Sequence, residues 1–142
     1  MKKFLLFTFV ILLIGCSHIQ NYDKDIYMDE RLIGSWKSDK DKTIEWLKEN
    51  RRFSDEKLKR FGSILGKLNL TITETKIISE YNGSIEEQPL NIIAIGGDTI
   101  AVVYKNPLTK CSEIRILRIE DENTHSIYLD MFDIREFFTR IK

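Results

Sequence analysis

The chain has 142 residues, with 22 basic and 22 acidic side chains and a formal charge of zero at pH 7. That balance offers no basic face for nucleic acid, so no nucleic-acid partner is expected. The length suits one domain, and 42% hydrophobic residues are enough to build one core.

The first segment is MKKFLLFTFVILLIGCSHIQ. Lys2 and Lys3 form a positive start, and Phe4 to Ile14 are apolar apart from Thr8. Such a run fits the roughly 7–15 apolar residues of a secretory signal and falls short of the ~20 that span a bilayer. It ends on Leu13-Ile14-Gly15-Cys16, which resembles the lipobox of bacterial lipoproteins. The resemblance implies cleavage between Gly15 and Cys16, a diacylglycerol on the Cys16 thiol and acylation of the new amino terminus. Two or three acyl chains, at ~0.8 kcal/mol per buried CH2, would hold the protein on a membrane without spanning it. Ser17 in place of Asp implies sorting to the outer membrane, facing the periplasm, in a Gram-negative envelope. The plainer alternative is an ordinary signal or short anchor with an incidental cysteine. The expected division is a signal peptide over 1–15, the lipidated Cys16 and a tether over 16–31, and a single domain over 32–142. Without Lys2 and Lys3, 20 basic residues face 22 acidic ones. If Cys16 carries lipid, Cys111 lacks an intramolecular partner. It is then expected to be buried as a small hydrophobe, with a reactive or intermolecular thiol as the alternative.

Beyond the tether, Leu32 to Ser38 reads as a first strand. A helix is expected from Ser38 or Asp41 to about Asn50, with Ile44 and Leu47 on one face. A second starts at Ser54, a good N-cap followed by Asp55 and Glu56, and ends near Gly66; Phe53 and Leu58 stand at hydrophobic-staple positions. The period then becomes two. Leu68, Leu70 and Ile72 alternate with polar residues, and Asn82-Gly83 marks a hairpin. Ile92 to Ile95 and Thr99 to Tyr104 flank Gly96-Gly97-Asp98. Ile114 to Ile119 and a strand carrying Ile127, Leu129 and Met131 flank Asp121-Glu122-Asn123. Short strands and tight turns predict an α+β fold whose antiparallel sheet is strongly curved or forms a small barrel. Asp133-Ile134-Arg135-Glu136 reads as a capping box. Ile134, Phe137, Phe138 and Ile141 then fall at i, i+3, i+4 and i+7, which predicts a C-terminal helix.

Gly34-x-Trp36 on the first strand resembles the N-terminal signature of lipocalins and their calycin relatives. The resemblance implies that Trp36 closes one end of a barrel, with a basic residue from the C-terminal segment over its ring. Arg140 is the expected partner and Arg135 the second choice. The order of Gly-x-Trp strand, helical pair, strands and Phe-Phe-x-Arg end also resembles a group of small bacterial lipoproteins, a likeness that implies no activity.

Catalytic strings are missing from the sequence: there is no HExxH, CxxC or GxSxG. Gly96-Gly97-Asp98 lacks phosphate-loop spacing. His18 falls in the tether, and His125 is expected at the surface beside a turn. Glu86-Glu87 and Glu120-Asp121-Glu122 are expected as turn and loop charges. The expected function is therefore non-catalytic, with no cofactor and no metal. A membrane-anchored module that binds an envelope protein or braces the envelope is the first reading. A lipocalin-like carrier of a small apolar ligand or lipid is the second, and interior volume separates them.

Overall fold

The computed structural model describes residues 28–51, 53–105 and 109–141. The signal peptide, Cys16, His18 and most of the tether lie outside them. The elements run as a 3-10 turn (Glu30–Leu32), β1 (Gly34–Ser38), α1 (Lys40–Asn50), α2 (Asp55–Ile64), β2 (Leu68–Ile72), β3 (Lys76–Tyr81), β4 (Ser84–Pro89), β5 (Ile92–Gly96), β6 (Thr99–Lys105), β7 (Ser112–Asp121), β8 (Thr124–Leu129), a second 3-10 turn (Asp130–Phe132) and β9 (Ile134–Arg140). All nine strands join one antiparallel sheet in the order β4-β3-β2-β1-β9-β8-β7-β6-β5.

Local chemistry accounts for the helical pair. Asp39 caps α1 by accepting the Lys42 N–H at 3.0 Å. Ser54 caps α2 through Lys57. Ser38, offered by the sequence as one start of the first helix, is instead the last residue of β1 and points into the sheet interior, 4% exposed. Phe53 stacks on Phe61 with ring centres 5.6 Å apart.

The sheet curls into a half-barrel. In a flat sheet β4 and β6, seven strand spacings apart, would be separated by roughly 34 Å. Here the Gln88 side chain on β4 donates to the Lys105 carbonyl on β6 at 2.8 Å and accepts its N–H at 2.9 Å. The Leu90 N–H still bonds back to Thr75, beside β3, whereas the Asn91 carbonyl already accepts from Val103 on β6. The chain thus changes partner between β4 and β5, and the two outer strands meet at that corner.

The expected C-terminal helix is not what residues 134–140 form. They are the strand β9, paired with β1 on one side and β8 on the other. Helical and strand patterns coincide here because β9 is buried on both faces. Ile134, Glu136 and Phe138 alternate into the half-barrel. Phe137 lies on the opposite face beneath α1, its N–H donated to Thr43 Oγ1 at 3.0 Å and its carbonyl accepting from Asp39. Asp133 caps no helix N-terminus: it closes the second 3-10 turn with a left-handed φ of +52°, its N–H donating to the Asp130 carbonyl, and its carboxylate accepts from Tyr128 and Arg51.

Candidate functional site

One end of the half-barrel is closed by the segment that precedes β1. Leu32 is 0% exposed and Trp36 1%. The Trp36 indole N–H donates to the Leu32 carbonyl at 2.8 Å. Arg31 bonds Asp29 at 2.7 Å and Asp98, in the β5–β6 turn, at 2.9 Å, fixing this segment across the barrel end. Asp29, upstream of Leu32, is buried as well.

The structure brings Gly34, Trp36 and Arg140 together. Trp36 and Arg140 are register partners on β1 and β9, and the guanidinium lies 4.1 Å from the Trp36 ring centre. It also donates to the carbonyls of Ile33 at 2.7 Å and Arg31 at 2.9 Å. Gly34 has a φ of +141°, and a Cβ there would stand 2.4 Å from Arg140 Nη1. Only glycine leaves room for the cation to reach the indole. Arg135, the second choice, lies elsewhere, near Trp46 and Glu120.

His125 corrects the sequence reading. It is 0% exposed and sits between Trp36, with ring centres 4.4 Å apart, and Phe138, at 5.1 Å. Neither ring nitrogen has a hydrogen-bond partner among the described residues. Burial, aided by the nearby Arg140 charge, pushes its pKa down to about 3. A neutral imidazole boxed in by aromatic rings acts as a flat core side chain. Cys111 is half-buried, not fully buried as expected, and no cysteine among the described residues is free.

Above this closed end lies a partly enclosed cavity of about 190 Å³. Its floor is apolar: Leu70, Ile72, Val102, Leu117 and Phe138, all buried. The half-buried side chains of Ser79, Gln88, Tyr104 and Arg115 stand around it. Arg115 is already paired with Glu113 at 2.6 Å and lies over the Tyr104 ring. Burial and the nearby Glu86 raise the Tyr104 pKa.

The residue that sequence reasoning missed is Glu136. It projects from β9 into the cavity lining and is 9% exposed. Ser38 Oγ donates to its Oε1 at 2.5 Å, and the Gly66 N–H donates in turn to Ser38 Oγ at 2.9 Å. Burial pushes the carboxyl upward from its usual range, against the hydrogen bond from Ser38. The signal was present as Ile134-x-Glu136-x-Phe138, a carboxylate between apolar residues at strand spacing, but it is legible only once the segment is known to be a strand.

No group of three metal-ligating side chains is found among the described residues. Comparison of the chain with known protein families, with curated proteins and with solved structures gives no match.

Proposed function

We propose that this protein is a membrane-anchored binding module that takes a small apolar ligand into the half-barrel and catalyses nothing. The observation that carries the reading is the apolar cavity of about 190 Å³. An engineered cavity of ~150 Å³ is enough to bind benzene, so this one suits a molecule of short-chain size. Gly34, Trp36 and Arg140 at the closed end support the lipocalin-like comparison, in which one barrel end is sealed and the interior is left for a ligand. The full-chain Cys16→Ser protein, which has no lipid of its own at that position, is the material for the test. Hexanol is expected to bind saturably and to shift the NMR signals of Leu117 and Phe138. Leu68→Trp, which grows a half-buried lining residue into the space, is expected to weaken binding at least tenfold. Non-saturating binding, or binding untouched by Leu68→Trp, would sink the proposal.

The anchor is the lipid on Cys16. The short apolar run ending in Leu-Ile-Gly-Cys supports it, and among the described residues no helix is long and apolar enough to cross a membrane. A clickable fatty acid fed to cells is expected to label the wild type and not Cys16→Ser. Equal labelling of both, or a Cys16–Cys111 disulfide in the intact mass of the purified protein, would remove the anchor.

A second reading, docking onto an envelope protein, is favoured by the outer face of the sheet. Ile114 and Ile116 on β7 are 46% and 40% exposed beside Val103 and Ala101, their register partners on β6. Specific cross-linking from this face in cells, with no ligand in the cavity, would favour it over the first.

A further inference from the structure

We infer that the cavity selects lipophilic amines, with the amino group set against Glu136 and the hydrocarbon on the Leu117–Phe138 floor. This rests on the reading that the half-barrel holds a ligand, and names the ligand's class. Glu136 is more than nine-tenths buried, yet lines a cavity whose buried walls are otherwise apolar. Among the described residues its carboxyl has one hydrogen-bond partner, Ser38, and no cation in an ion pair. Ser38 is itself fixed by the Gly66 N–H, so the Glu136 carboxyl is held in place from behind. Arg115, the cation that lines the same cavity, is occupied by Glu113 and the Tyr104 ring.

A buried carboxylate without a counter-charge is costly, and burial raises its pKa accordingly. An ammonium brought in on an apolar chain supplies the missing charge and an N–H donor in a region that excludes water, where both are worth most. An alcohol of the same length supplies only a neutral hydrogen bond. A carboxylic acid brings a like charge to the same point, which is disfavoured. The three ligand classes are thus ranked by one side chain: amine, then alcohol, then carboxylate.

The experiment is calorimetric titration of the full-chain Cys16→Ser protein at pH 7 with hexylamine, hexanol and hexanoate. Hexylamine is expected to bind at least tenfold more tightly than hexanol, and hexanoate more weakly than either. Glu136→Gln keeps the shape and an acceptor for Ser38; it is expected to abolish the preference, so that hexylamine binds this variant no more tightly than hexanol does. The variant's circular dichroism spectrum and cooperative melting show whether it is folded. The inference is overturned if hexanol binds but hexylamine is no tighter, if hexanoate binds best, or if the amine preference survives Glu136→Gln. If none of the three binds, the ligand-holding reading itself fails.

Discussion

Trp36→Ala is expected to lower stability by roughly 3–5 kcal/mol, the usual loss when a buried large aromatic is cut back to a methyl. At about 4 °C per kcal/mol for a domain of this size, the melting temperature should fall by about 12–20 °C. Three losses coincide at this position. The ring is 1% exposed and packs into the same cluster as Leu70, Ile72 and Phe138, so its removal leaves a void at the closed end. The Leu32 carbonyl loses its N–H donor. The Arg140 guanidinium loses the ring beneath it, although its bonds to the Ile33 and Arg31 carbonyls remain. Trp36→Phe, which keeps much of the volume and forfeits the N–H, should fall in between. Differential scanning calorimetry of the three proteins checks this. A Trp36→Ala protein that melts with the wild type would show that the closed end is not held by this residue.

The strands whose neighbours lie close in sequence were legible because one face is wet. Leu68, Leu70 and Ile72 alternate with polar residues, and Asn82, Gly83 and Gly97 carry the positive φ angles that tight hairpin turns favour. The Ser54 cap of the second helix was legible for the same local reason, whereas the first helix is capped by Asp39, between the two starts that the sequence offered, Ser38 and Asp41. β9 was not. Its neighbours are β1, about a hundred residues away, and β8, while α1 covers its outer face, so the outward Phe137 is buried like the inward Phe138 and the period of two is broken. Ile134, Phe137, Phe138 and Ile141 then imitate one face of a helix.

The candidate site inherited that error. While 133–136 is taken as a capping box, Glu136 belongs to a helix terminus in water. As part of β9 it becomes an inward carboxylate at the cavity wall. Trp36 and Arg140 escaped the error because their pairing depends on two chain ends meeting, whatever the intervening conformation. His125 was misplaced through its position beside the Asp121–Thr124 turn. The register sets it opposite Phe138 and Ile119, and Trp36 on β1 then packs against its ring. Nothing in the neighbouring residues reports that cover, since it comes from Trp36, some ninety residues upstream.

His125 should make the fold acid-sensitive in a window that no carboxylate explains. Its pKa is about 3 in the folded protein against about 6.5 in an unfolded chain. Below pH 6.5 the unfolded chain takes up a proton that the native ring refuses. Its contribution is therefore complete above pH 6.5 and is lost at about 1.4 kcal/mol per pH unit as the pH falls towards 3. Between pH 6.5 and 4.5 the loss is roughly 2 kcal/mol. Glu136 works in the opposite sense: its pKa is raised on folding, so its contribution is greatest at low pH and is lost as the pH rises through its folded value. Asp29, held low by its hydrogen bond from Arg31, loses its contribution only as the pH drops below the ordinary carboxylate range. The His125 effect is isolated by comparing the wild type with His125→Leu, in which Glu136 and Asp29 are retained. The variant also removes two buried nitrogens without partners, so it should be no less stable than the wild type at pH 7. Urea unfolding at pH 7, 6, 5 and 4.5 is expected to show the variant gaining roughly 2–3 kcal/mol on the wild type from the top of that range to the bottom. A constant difference at every pH, or an His125 proton signal that titrates near 6.5 in the folded protein, would show that the ring is not sealed between Trp36 and Phe138.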